Sequence, residues 1–301
     1  MSTPTASPMY ICHLCNSSAR QVAAAHRPDL ELRQCTSCGL VYQAHIPRAL
    51  EIAAMYDNEF YDYWGLRESS NQHSGDLWTM KMKTSLAYLN LVERCVPQGL
   101  PSPQLLDIGC AHGFMLEAAQ QRGFQASGID ISPAVSVARQ QGFNVYDRPL
   151  HELGLPANTF DIITLIDVLE HVPDPRRLMQ EVCRILKPKG AVLIVTPDIG
   201  SWIARIMKDS WPHYKSEHIF YFNRRSLCML LRKTGFSVEH VGRAFKYLNL
   251  TYILGHFQKY SPGWVTTLLT SLHSVLPLAL TRTTLRFQTE MLSIARPKTA
   301  A

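Results

Sequence analysis

The stretch from Leu105 to Asp130 constrains the fold of this 301-residue chain more than any other. Leu105-Leu-Asp-Ile-Gly-Cys-Ala-His-Gly113 is a short apolar run that breaks into a glycine-bearing turn, and Phe114-Met-Leu-Glu-Ala-Ala-Gln-Gln-Arg122 follows with apolar residues at helical spacing. A second run, Gln125-Ala-Ser-Gly-Ile129, ends in Asp130. Strand, turn, helix and strand in this order form a unit whose second strand returns parallel to the first. A carboxylate then stands at the carboxyl end of a parallel strand beside a glycine turn, where open α/β sheets bind their ligands. An acidic group there can accept both hydroxyls of a ribose, so the pattern points to a nucleoside-bearing ligand.

The order Asp107-x-Gly109-x-x-x-Gly113 departs from G-x-G-x-x-G, the order that lets a helix start hold a pyrophosphate. It resembles instead motif I of class I S-adenosylmethionine-dependent methyltransferases. Further segments are similar to that family in order. Leu155 to Asp161 with Ile162-Ile-Thr-Leu-Ile166 resembles its fourth strand, Asp167-Val-Leu-Glu-His171-Val the turn that follows, and Arg184 to Gly190 with Ala191-Val-Leu-Ile-Val195 the entry into strand five. The resemblance spans residues 103–243. It implies an α/β, Rossmann-like sheet with helices on both faces, S-adenosyl-L-methionine as cofactor and methyl transfer as activity. It also implies that Asp107, Gly109, Cys110 and Gly113 surround the methionine end of the cofactor, that Asp130 holds its ribose and that Ile131 packs on its adenine. Leu150, within Arg148-Pro-Leu-His151, and Asp167 complete the expected cofactor set.

Cys12-His-Leu-Cys15 and Cys35-Thr-Ser-Cys38-Gly39 form two C-x-x-C pairs at the spacing by which two tight turns bring four thiolates around one tetrahedral Zn²⁺. Residues 10–45 therefore read as a small zinc ribbon, stapled because so short a segment has little core of its own. Four protein ligands leave no open position, so such a site is structural. The alternative is four unrelated buried cysteines. Residues 46–102, aromatic-rich over Met55 to Trp64 and helical in pattern over Met80 to Val92, read as a connector and cap. Residues 103–301 form the expected methyltransferase domain, whose carboxyl-terminal part, about 200–290, reads as a substrate or lid region.

Two clusters bear on the acceptor. Asp167, Glu170 and His171 share one face of a helical turn. By resemblance to ubiquinone-pathway O-methyltransferases this trio holds Mg²⁺, whereas on the alternative His171 braces the turn. The brace is favoured, because a hard cation wants more oxygen ligands than two carboxylates supply. The second cluster, Glu217-His218-x-x-Tyr221-Phe222, resembles a segment of the deoxysugar C-methyltransferases in which a histidine is the general base, a role the resemblance gives to His218, with Glu217 and Tyr221 beside it. Its alternative is a hydrogen-bonded structural histidine.

Charge is informative once located: residues 1–200 carry 16 Lys and Arg against 20 Asp and Glu, and residues 201–301 carry 14 against 4, so the net +6 divides into −4 and +10. The excess belongs to the acceptor end, which suggests a phosphate-bearing or lipid-linked small molecule rather than general affinity for nucleic acid. Residues 260–281 lack Asp, Glu, Lys and Arg and carry apolar residues at helical spacing opposite a Thr and Ser stripe. They read as a lid helix or, alternatively, as an interfacial helix in peripheral contact with an anionic inner membrane surface. The polar opening MSTPTASPMYICHLC carries no secretory pattern, which makes the cytoplasm the expected compartment. Three function classes emerge: a small-molecule methyltransferase acting on O or C of a sugar, quinone-like or secondary-metabolite acceptor; a ribosomal RNA methyltransferase reading RNA through its ribbon; and a non-catalytic cofactor-binding scaffold.

Overall fold

A computed structural model of the chain describes residues 10–22, 30–47, 75–96, 99–254 and 281–298, with positions 267, 271 and 277. Most of the expected connector, including its aromatic-rich stretch, and most of the expected helix at 260–281 lie outside the described residues. The amino-terminal segment contributes β1 (Tyr10–Ile11), β2 (Ser18–Val22), β3 (Leu32–Cys35) and β4 (Val41–Gln43). Helix α1 (Asp76–Val92) follows, then β5 (Gln104–Ile108), α2 (Phe114–Gln121), β6 (Gln125–Ile129), α3 (Val135–Gln140) and β7 (Asn144–Tyr146). The chain continues through β8 (Phe160–Ile166), α4 (Pro175–Ile185), β9 (Leu186–Thr196), α5 (Trp202–Met207), β10 (Phe220–Tyr221), α6 (Arg224–Lys233), β11 (Phe236–Leu248) and β12 (Leu285–Pro297).

Seven of these strands form one sheet in the order β11-β12-β9-β8-β5-β6-β7. The five from β9 to β7 are parallel, and β12 runs antiparallel to both β9 and β11. This is the expected α/β sheet. Its central strands are unbroken apolar runs because both faces are covered. Leu105 and Ile162 point into a cluster with α1 and α2, while Leu106, Ile163 and Leu165 point into one with α4 and α6. Strand β11 was not legible because, at the sheet edge, it interleaves Glu239, Arg243 and Lys246 with apolar residues and is only partly buried. Among the described residues no helix is long and apolar enough to cross a membrane.

The four amino-terminal strands form an antiparallel sheet whose fifth member comes from far along the chain: β10 pairs with β4, Phe220 opposite Tyr42 and Tyr221 opposite Val41. Alternation then splits this strand between two cores. Phe220 joins Leu40, Tyr42 and the α4–α6 face of the large sheet, while Tyr221 joins Leu32, Val41 and Trp211. Asn223 fastens the junction. Its Oδ1 accepts from Ser226 N at 2.9 Å as the N-cap of α6, and its Nδ2 donates to Gly39 O at 2.7 Å. Gly39 itself adopts a positive φ, +74°, in the turn after the second cysteine pair.

Losing both bonds in Asn223→Ala should cost about 2 kcal/mol of stability, whereas Asn223→Ser, which keeps the cap but not the donor to Gly39, should cost about half as much. Thermal melts of the two variants beside the parent measure the difference.

Candidate functional site

A cavity of about 1080 Å³ opens at the carboxyl ends of the central parallel strands. The β5–α2 turn forms one wall. Gly109 N and Cys110 N approach Ile129 O at 2.7 and 3.1 Å, drawing the turn onto β6. Gly109 has φ +79°, and a Cβ there would lie 2.2 Å from Val168 Cγ2, so only glycine fits. Asp130 braces the same wall: Oδ2 accepts from Ala111 N at 2.7 Å and Oδ1 from Ser132 N at 2.8 Å. Asp107 is buried, accepts from the Thr164 hydroxyl at 2.5 Å, and has its carboxyl pushed up to about 7 by burial, with nearby Asp130 adding to the effect. Asp107, Gly109, Cys110, Asp130, Ile131 and Leu150, all expected at a cofactor, line this cavity together with Asp167. Gly113 does not line it; it caps α2 in the left-handed region, 2.9 Å from Phe143 if a Cβ were added.

Asp167 follows β8 in a conformation rare for a non-glycine residue, φ +56°. Its Oδ2 meets Lys246 Nζ at 2.5 Å, and Lys246 reaches on to Glu290 Oε1 at 2.7 Å. Burial works against charge on all three, yet Asp167 and Glu290 hold Lys246 well above its usual range, and Lys246 keeps Asp167 below its own. Glu290 takes the weaker share: burial and Asp167 push it up to about 7. Lys246 and Glu290 escaped the sequence reading, although two signals were present: Lys246 is a lone cation in an apolar run, and Glu290 is the single acidic residue after Glu239. Lys81, Thr84, Ser85 and Tyr88 were missed as well; their spacing places them on one face of α1, and all line the cavity.

The histidine cluster closes the opposite wall. His171 Nδ1 donates to Glu217 O at 2.8 Å, and the His171 and His218 rings meet edge to face at 4.7 Å. Glu170 is buried, accepts from the Thr196 hydroxyl at 2.9 Å, and is pushed well above the usual carboxylate range by burial and by Asp167. Burial, with His171 and Lys215 nearby, holds His218 well below its ordinary value. Its Nδ1 has no hydrogen-bond partner among the described residues. One ligand atom each from Glu170, His171 and His218 lie within 4.8 Å of one another, but Asp167, the third member of the expected trio, is engaged by Lys246. The Glu217 carboxylate accepts from Ser216 Oγ, so it is the Glu217 carbonyl that orients a histidine, and that histidine is His171. Tyr221 lies outside the cavity lining and donates its hydroxyl to Lys215 O at 3.0 Å.

Apart from the cavity, Cys12, Cys15, Cys35 and Cys38 bring their sulfurs within 4.8 Å of one another. Leu14 N points at Cys12 Sγ, and Ser37 N and Cys38 N at Cys35 Sγ, at 3.3–3.4 Å. Backbone N–H groups directed at sulfur suit thiolates, so the donor set fits a soft, four-coordinate cation.

Residues 80–241 match a family model described as a methyltransferase domain. The ubiquinone biosynthesis O-methyltransferase of Azoarcus sp. (strain BH72) is 36% identical over 107 residues, which is 33% of this chain and 46% of that protein. The enzyme of the same name from Xanthomonas euvesicatoria pv. vesicatoria (strain 85-10) is 30% identical over 161 residues, 47% of this chain and 66% of that protein. The chain thus spans about half to two thirds of the length of these relatives. Among solved structures, the [4+2]-cyclase SpnF is similar with a TM-score of 0.56 at 16% identity, covering 84% of this chain and 97% of its own. An S-adenosylmethionine-dependent methyltransferase from Archaeoglobus fulgidus has a TM-score of 0.50 at 18% identity, covering 80% and 100%. At such identities the likeness establishes the fold.

The Lys246 cluster has a pH signature. Lys246→Met leaves buried Glu290 without its cation and should destabilise the protein by about 3 kcal/mol near pH 8. A carboxyl whose folded pKa is raised contributes stability at low pH that is lost as pH climbs through the folded value. The variant should therefore recover part of its deficit at pH 6, which urea unfolding at the two pH values tests.

Proposed function

Because this chain belongs to the methyltransferase-domain family that its residues 80–241 match, we propose that it moves a methyl group from S-adenosyl-L-methionine to an oxygen of a small hydroxylated acceptor. The observation that carries this reading is the single cavity in which the braced glycine turn and Asp130 share walls with four histidines, His218 among them, and three lysines. On this reading Asp130, whose Oδ1 is taken up by Ser132 N and Oγ, offers the remaining lone pair of Oδ2 to the ribose, Ile131 and Leu150 enclose the adenine, and Asp107 with the Gly109–Cys110 turn receives the methionine end. Gly113 supports that turn from behind. Asp167, held in place by Lys246, borders the reacting centre. The cofactor brings a methyl group already activated on a sulfonium, so the chain's own work is to align the acceptor and keep water out. His218, a neutral imidazole at pH 7 with an unpartnered Nδ1, takes the hydroxyl proton. Glu217 and Tyr221 act through the backbone, one fixing His171 and the other the Lys215 carbonyl.

The O-methyltransferase names of the relatives favour a quinone-like acceptor over a sugar or a carbon acid. An RNA substrate is disfavoured because the ribbon spends the edge of β4 on β10 inside the molecule. We also assign the four cysteines one structural Zn²⁺. The site of Glu170 and His171 is read as a brace rather than a Mg²⁺ site, since Glu170 is held by Thr196 and burial pushes its carboxyl well above the usual range.

Incubation with methyl-labelled cofactor and a panel of dihydroxylated aromatics, sugars and bulk RNA should label the aromatics. Label confined to RNA, with turnover falling steeply as salt rises, contradicts the reading. Asp130→Ala should weaken cofactor binding at least tenfold by calorimetry; unchanged affinity moves the nucleoside elsewhere. The purified protein should carry one zinc per chain by elemental analysis, and Cys35→Ser should lose it.

A further inference from the structure

The segment that carries His218 is held by a side chain of the ribbon. Gln43, the last residue of β4, donates through Nε2 to Ser216 O at 2.8 Å and to His218 O at 2.9 Å, and through its backbone N to Ile219 O at 2.9 Å. One amide group has two N–H donors, and here both are spent on carbonyls two residues apart. That draws the backbone on either side of Glu217 toward a single point and fixes the direction in which residue 218 leaves the chain. On the opposite side the same segment is tied to the turn after β8: Ile219 N and Phe220 N donate to Glu170 O at 2.8 and 3.1 Å.

We propose that Gln43 is a positioning residue of the active site, setting the backbone of residues 216–219 so that the His218 ring is presented to the acceptor. The inference rests on the reading of His218 as the proton acceptor. No other side chain of β4 can replace it. Val41 and Tyr42 pack into opposite cores, and neither donates a hydrogen bond to residues 216–219. The groups facing the His218 ring are His171 and Glu170 from the turn after β8, His213 and Lys215 from its own segment, and Tyr221 from β10.

The test uses the full-length, zinc-loaded protein. Gln43→Met keeps the length and apolar stem of the side chain but removes both donors. It should retain one zinc per chain and wild-type cofactor affinity while kcat falls about thirtyfold. The acid limb of the kcat profile should also move upward, as the loosened segment admits water around the His218 ring. A partly unfolded preparation would lower kcat without moving that limb, so the profile separates positioning from loss of active protein. Gln43→Lys, which restores a donor able to reach both carbonyls, should recover much of kcat and return the limb. Gln43→Met with wild-type kcat and profile overturns the proposal. His218→Ala is measured alongside. Unchanged turnover in His218→Ala removes the base assignment and this proposal together, whereas an impaired His218→Ala beside an unaffected Gln43→Met removes this proposal alone.

Discussion

Residues 215–222 are hydrogen-bonded from two sides, and the architecture depends on that strap. Toward the ribbon they use Gln43, the β4 ladder and, just beyond, the Asn223 amide on Gly39. Toward the large sheet they use the Glu170 carbonyl and the His171 imidazole. Each bond alone contributes about 1 kcal/mol. Together they leave the segment one arrangement, because releasing those at His218, Ile219 and Phe220 would strand a buried backbone group. A four-cysteine module that could have been a separate bead on the chain instead backs the segment that lines the cavity. Its own hydrophobic residues are too few for an independent core, and Leu14, Leu40 and Tyr42 complete theirs with Phe220, Phe222 and the α4–α6 face of the sheet.

That dependence explains what could be read from the sequence. The β5–α2–β6 unit, the central strands and the paired cysteines were legible because each is encoded locally, by an apolar run, a glycine turn or a fixed spacing. The residues that were missed meet only through the sheet order. Lys246 on β11 and Glu290 on β12 reach Asp167 at the tip of β8 because two antiparallel strands are added beyond β9, and no local pattern announces that placement. Gln43 is missed for the same reason: an ordinary residue at the end of a three-residue strand gains its partners from more than 170 positions away. Tyr221 shows the converse. The motif around it was recognisable, but strand alternation turns its ring into the core around Trp211, so that it stays outside the cavity lining, a direction that a list of residues does not carry.

Electrostatics at the acceptor end follow from the same convergence. Lys81, Lys215 and Lys246 line the cavity beside three carboxyls: Asp167 is matched by Lys246, burial pushes Glu170 well above the usual carboxylate range, and Glu290 is raised to about 7. Two of these lysines, Lys215 and Lys246, belong to the last third of the chain, whose balance is +10 and which also includes Arg residues outside the cavity. Burial pulls Lys81 and Lys215 below their usual range, the mark of cations held where water cannot fully solvate them. A hydroxyl bound among such groups ionises more readily, since the fixed positive charges stabilise the oxyanion without having to reorganise. Under those conditions a weakly basic, neutral imidazole is sufficient to receive the proton, and a strongly basic one would be a hindrance, because it would already be protonated and would add a further positive charge beside the sulfonium.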